Sequence, residues 1–156
     1  MIFKIKISVL IIITTLATGC TTFAKGHAFR SASSPDQNSS LLYIYRTEST
    51  PFMRQPTVLI NGEELLDLPN GGYTYLYLRP GEYRIEFDWA WDVSYNDREI
   101  ELDARPGEAY KVRIGGGRHC GVIFGNCGND VTVETKHSDD SQIDSCKYQT
   151  PNFDFL

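Results

Sequence analysis

The sequence predicts an all-β fold, a small antiparallel β-sandwich. Three observations carry that expectation. Short segments from residue 41 onward alternate apolar and polar side chains with a period of two. Turn dipeptides fall between them, among them Asn61-Gly62, Pro80-Gly81 and Pro106-Gly107. No segment after residue 20 sustains a 3.6-residue apolar period, so helix is expected to be scarce. The 156 residues are 41% hydrophobic and 22% charged, the size and mix of one ordinary globular domain.

The chain opens with an address. Lys4 and Lys6 precede a short apolar run from Ile7 to Leu16, and small residues follow at Ala17-Thr18-Gly19. This is the layout of a secretory signal peptide over residues 1–19, too short to span a bilayer. Leu16-Ala17-Thr18-Gly19-Cys20 resembles the lipobox of bacterial lipoproteins, with Ala17 standing where a larger aliphatic is usual. That resemblance implies cleavage before Cys20 and acylation of its thiol. Thr21 stands where an aspartate favours inner-membrane retention, which implies an outer-membrane anchor facing the periplasm. Removing Lys4 and Lys6 from the 15 basic residues leaves 13 against 20 acidic ones, a net charge of −7. Such a domain is not drawn to an anionic membrane by electrostatics, so the lipid must hold it. The same acidic balance argues against nucleic acid as a partner.

Residues 20–40 show no periodicity, and the stretch Ser31-Ala32-Ser33-Ser34-Pro35-Asp36 is small, polar and turn-rich. A lipidated N-terminus followed by a flexible tether is expected there.

Strands begin at Leu41-Leu42-Tyr43-Ile44-Tyr45-Arg46, a run too short for a helix. Thr57-Val58-Leu59-Ile60 closes on Asn61-Gly62, a two-residue hairpin signal, and residues 63–68 answer it with Leu66 and Leu68 on one face. After the turn Pro69-Asn70-Gly71-Gly72, one strand sets Tyr73, Tyr75 and Tyr77 on one face and Thr74, Leu76 and Leu78 on the other. Residues 83–89 place Tyr83, Ile85, Phe87 and Trp89 inward, and Ile100 and Leu102 do the same in the next strand. Tyr110, Val112 and Ile114 share a face after Pro106-Gly107. Weaker strand signals cover 131–135 and 142–147. The Arg-Pro-Gly-Glu of residues 79–82 recurs at 105–108, which shared turn chemistry explains.

These segments, in this order, resemble an uncharacterised family of bacterial lipoproteins. The matching motifs are Leu42-Tyr43-Ile44-Tyr45-Arg46, Val58-Leu59-Ile60-Asn61-Gly62-Glu63, Leu68-Pro69-Asn70-Gly71-Gly72-Tyr73, Pro80-Gly81-Glu82-Tyr83 and Pro106-Gly107-Glu108-Ala109-Tyr110. The resemblance covers residues 41–114 and implies a prealbumin-like β-sandwich, no enzyme activity and no settled ligand. Residues 115–156 lie beyond it, as a Gly/Cys-rich loop and C-terminal strands expected to pack on the same domain.

Cys120, Cys127 and Cys146 remain once Cys20 is acylated, and an oxidising envelope favours disulfides. A Cys120–Cys127 bridge is the favoured pairing, with Cys127–Cys146 next. Spacings around His119, His137 and the cysteines do not match a closed zinc site. Gly115-Gly116-Gly117 lacks the following helix of a phosphate loop, and Ser138-Asp139-Asp140 lacks calcium-loop spacing. No cofactor is expected, and no paired carboxylate or nucleophile–base constellation stands out. The candidate binding aromatics are Trp91 and Tyr95, where strand alternation fails, and the stripe Tyr73, Tyr75 and Tyr77, which serves either stacking on a ligand or core packing. The sequence therefore points to a membrane-anchored, non-catalytic binding or structural module. An envelope protein or a cell-wall glycan is the expected class of partner.

Overall fold

A computed structural model describes residues 23–48, 52–90, 98–115, 119–120, 127–128, 131–135 and 141–153. The strands are β1 (Ser40–Arg46), β2 (Thr57–Ile60), β3 (Glu63–Asp67), β4 (Gly72–Leu78), β5 (Gly81–Asp88), β6 (Arg98–Ala104), β7 (Ala109–Ile114), β8 (His119–Cys120), β9 (Cys127–Gly128), β10 (Val131–Thr135) and β11 (Lys147–Tyr148). A five-stranded sheet has the order β10-β7-β1-β4-β11, a four-stranded sheet the order β3-β2-β5-β6, and β8 and β9 form a separate pair. The architecture is an all-β sandwich. It is not purely antiparallel: β1 runs parallel to β7, and β4 parallel to β11.

The core lies between the two main sheets. Leu42, Ile44, Leu76, Leu78, Tyr110, Val112 and Ile114 come from one side, and Val58, Ile60, Ile85, Phe87 and Leu102 from the other. These are the inward residues of the period-two pattern, and Trp89 is buried with them. The β2–β3 register shifts between Val58 and Leu59, where Val58 faces Leu66 but Leu59 faces Glu64. The extra residue, Leu65, is itself fully buried, so the bulge adds an apolar group to the core.

The turns sort to two ends. Asn61 and Gly62 take φ values of 54° and 80°, the positive pair that a two-residue hairpin turn demands. Gly107 has φ 75°, and the Glu108 N–H reaches the Arg105 carbonyl at 3.2 Å, closing the turn for which Pro106-Gly107 is suited. These turns share one end with Pro80-Gly81. The opposite end gathers the β1–β2 connection, the 69–71 turn, the end of β5 and the end of β7.

Two expectations are corrected. Residues 142–147 are not a strand. Ser141–Ser145 form a 3-10 turn, closed by the Cys146 N–H on the Ile143 carbonyl at 2.9 Å, and only the two-residue β11 follows. Ile143 is the sole aliphatic in that stretch, and a one-residue plug needs a turn rather than an alternating face. Nor do the described residues of the 20–40 segment hang away from the fold. Phe23 bridges to Asn70, Ala28 bridges to Lys147, and the segment crosses the outer face of the five-stranded sheet.

Candidate functional site

That crossing strap is the most elaborately held feature outside the core. β1 is buried along its whole length, because one face meets the core and the other meets the strap and the 3-10 turn. The strap's backbone amides have no strand ladder, so tyrosine phenols take their place. Arg30 N–H donates to Tyr73 Oη at 3.1 Å and Ala32 N–H to Tyr43 Oη at 2.8 Å, while Tyr77 Oη donates to the Ser33 carbonyl at 2.8 Å. Backbone bonds pin the start of the strap. Ala24 N–H reaches the Asn70 carbonyl at 3.0 Å, and Tyr148 N–H reaches the His27 carbonyl at 2.8 Å.

Ring packing fills the spaces. Phe29 sits 5.1 Å from Tyr73 and 5.9 Å from Tyr43, centroid to centroid. Gly26 passes so close to Tyr148 that an added Cβ would overlap the Tyr148 carbonyl oxygen, 1.8 Å away. Only glycine tolerates such an approach. Burial pushes the Tyr43 phenol above the ordinary tyrosine range, opposed in part by the hydrogen bond from Ala32.

The stripe Tyr73, Tyr75 and Tyr77 is therefore a packing face for the chain's own N-terminal segment. Tyr73 is fully buried and Tyr75 and Tyr77 are half-buried. Of the two roles open to the stripe, ligand stacking or packing, Tyr73 is seen packing, against Phe29 and Tyr148. Trp91, Tyr95 and Cys20 lie outside the described residues.

Cys120 and Cys127 face each other as direct partners in the β8–β9 pair. Cys146 stands apart from them as a buried thiol, its Sγ 3.7 Å from the Arg46 carbonyl. It is not bridged to Cys127. A thiol in that place suits a small buried filler beside Ile143.

Arg46 closes the Tyr-x-Tyr-Arg sequence of β1 and is the largest fully buried side chain among the described residues. Its Nη1 donates to the Arg54 carbonyl at 2.9 Å and to the Leu68 carbonyl at 3.4 Å, and its guanidinium carbon lies 5.0 Å from the Trp89 ring centroid. That one nitrogen thus staples the β1–β2 connection to the residues entering the 69–71 turn, while the guanidinium lies over Trp89. Neither Gly26 nor the Arg46 staple was legible from composition. The signal for a covered outer face was present, in a β1 run that is apolar at both parities rather than alternating.

The outer face of the four-stranded sheet is different. Asn61, Glu82, Tyr83, Arg84, Glu101 and Asp103 are among the residues lining an open cavity of about 450 Å³. Arg84 pairs with Glu86 at 3.0 Å and Glu99 at 3.4 Å, and Arg105 with Asp103 at 3.0 Å. Arg84, Glu99, Asp103 and Arg105 are exposed and Glu86 is half-buried, so the pairs add little stability. The face is therefore lined by charged groups of both signs.

Residues 36–116, just over half of the 156, match DUF2846, a family described as a protein of unknown function. The chain belongs to that family. No curated protein matches it. The matched span starts within the strap and takes in β1 to β7, whereas the first part of the strap precedes it and β10 and β11 of the five-stranded sheet follow it.

Proposed function

We propose that this protein is a lipoprotein of the bacterial envelope, cleaved before Cys20, acylated there and held at the outer membrane facing the periplasm. Its sandwich, of prealbumin-like type, acts as a non-catalytic binding or structural module that meets an envelope partner through loops and sheet edges. The observation that carries this reading is the continuity of the N-terminus with the fold. Three residues after the lipobox-like cysteine the chain is already bridged to the domain, at Phe23 and Asn70. The strap thus lies where an anchor at Cys20 would transmit load into the domain. We further propose that Cys120 and Cys127 are joined by a disulfide. Direct antiparallel partners stand about 4.5–5.5 Å apart at Cα, within the range a disulfide spans.

The test is fractionation of bacteria expressing the full chain and its Cys20→Ser variant. Wild type is expected in the outer-membrane fraction, extracted only by detergent, and the variant in the periplasm or retained as uncleaved precursor. A wild-type chain recovered in the soluble fraction would sink the reading. Chemical crosslinking in intact cells then addresses the module: adducts with defined envelope proteins support it, and a chain that crosslinks to nothing counts against it.

A further inference from the structure

We infer that the end of the sandwich carrying Phe23, Phe52 and Met53 rests in the bilayer interface, so that the domain sits directly on the membrane. The inference builds on the lipid anchor proposed at Cys20. Among the described residues, the exposed large hydrophobics are Phe23, Phe52 and Met53, at 38%, 47% and 64%. All three belong to the same end. Phe23 bridges to Asn70 in the 69–71 turn. Phe52 and Met53 lie in the β1–β2 connection, which is tied to that turn's approach by Arg46 on the Arg54 and Leu68 carbonyls and by Leu68 N–H on the Pro56 carbonyl. The opposite end, with its Asn-Gly and Pro-Gly turns, carries none.

Chain length selects the occupant. Phe23 is the third residue after Cys20, and even fully extended that span reaches only about 10 Å. The headgroup layer of one leaflet is itself roughly 5–8 Å thick. With the acyl chains in the hydrocarbon and the strap bonded to the sheet, Phe23 is held at the headgroups and its end of the domain goes with it. Apolar side chains placed there are buried by hydrophobic transfer, as on an interfacial helix. Lys25 and Arg54 stand at this end, but so do Glu48, Asp67 and Asp88, so the attraction is hydrophobic rather than electrostatic.

Photo-crosslinking tests this in the full chain, purified from membranes and reconstituted in vesicles of phosphatidylethanolamine and phosphatidylglycerol. The photoreactive residue p-benzoyl-phenylalanine replaces Phe52 in one variant and the exposed Glu82, at the far end, in another. Lipid adducts are expected at position 52 and are expected to be lost at position 82. Adducts at neither position, equal adducts at both, or a crosslink from position 52 only to a second copy of the chain would each overturn the inference. The mass of Cys20 is read in the same sample. An unlipidated Cys20 overturns the anchor and this inference together, whereas lipid on Cys20 without adducts at 52 overturns this inference alone.

Discussion

His27 lies flat against Tyr148, ring centroids 4.9 Å apart and planes 9° from parallel. One residue precedes every strand and the other belongs to the last, so the stack joins the N-terminal strap to the C-terminal strand. Tyr148 in turn packs against Tyr73 and Tyr75. The outer face of the five-stranded sheet is closed by the two ends of the chain.

Gly26 is where that closure is tightest. Its backbone runs against the Tyr148 carbonyl, so Gly26→Ala already forces strap and β11 apart. The expected loss is about 2–3 kcal/mol of unfolding free energy. Hydrogen exchange reads the mechanism: the Arg30 and Ala32 amides, which donate to Tyr73 and Tyr43, should lose protection while the β5–β6 ladder keeps it. Uniform loss of protection would contradict a strap that detaches as a unit.

Arg46 is held by carbonyls of two separate connections. Arg46→Met keeps the length and the contact with Trp89 but strips the Arg54 and Leu68 carbonyls of a charged donor. A loss of about 2–3 kcal/mol in denaturant unfolding is expected. Arg46→Lys should recover only part of it, because an ammonium is shorter-reaching and lacks the flat guanidinium that lies over Trp89. Equal stability of the lysine variant and wild type would contradict the staple.

The repeated Arg-Pro-Gly-Glu motif separates two tyrosines by their surroundings. Tyr110 Oη donates to the Asp103 carbonyl and accepts from Arg105 N–H, both at 3.0 Å, and the residue is buried. Tyr83 Oη donates to the Arg79 carbonyl at 3.0 Å in an exposed position. Tyr110→Phe should cost about 1–2 kcal/mol and Tyr83→Phe less than about 0.5 kcal/mol. Equal effects in thermal unfolding would show that shared turn chemistry, and not burial, sets the contribution.

Tyr43 supplies a pH signature. Burial raises its phenol above the ordinary value, so the folded state holds the proton more tightly than the unfolded chain. The resulting stability is fully present below about pH 10, the unfolded value, and is lost as pH rises through the folded one. Tyr43→Phe removes the titration along with the Ala32 hydrogen bond. The stability gap between wild type and variant should therefore narrow above about pH 10 in melts run as a pH series. A gap constant through that range would contradict the assignment.

The cysteines divide by position. Cys120 and Cys127, opposed in β8–β9, are expected to appear as one disulfide-linked pair in a non-reducing peptide map. Cys146 is buried, so it should resist alkylation in the native protein and react once denatured. A Cys127–Cys146 peptide would contradict both statements.

The core was legible because Ile85, Phe87, Val112 and Ile114 obey strict alternation, and the hairpin because Asn61-Gly62 admits positive φ at both positions. The strap was not, because its residues bury little of their own. Arg30 and Ala32 offer backbone N–H groups, and their partners, Tyr73 and Tyr43, are far along the chain. Nothing local in a Ser-rich stretch marks a segment whose order comes from phenols elsewhere. The parallel pairings of β7 and β11 were hidden for the same reason, since alternation places a residue on a face but does not choose a strand's neighbour.

The most direct test of the anchored domain is the intact mass of the protein purified from a bacterial membrane, taken before and after alkylation without reductant. The account expects residues 1–19 to be absent, acyl chains on Cys20, and no alkylation until the protein is denatured, when one thiol reacts. A soluble product with an unmodified Cys20 would contradict it.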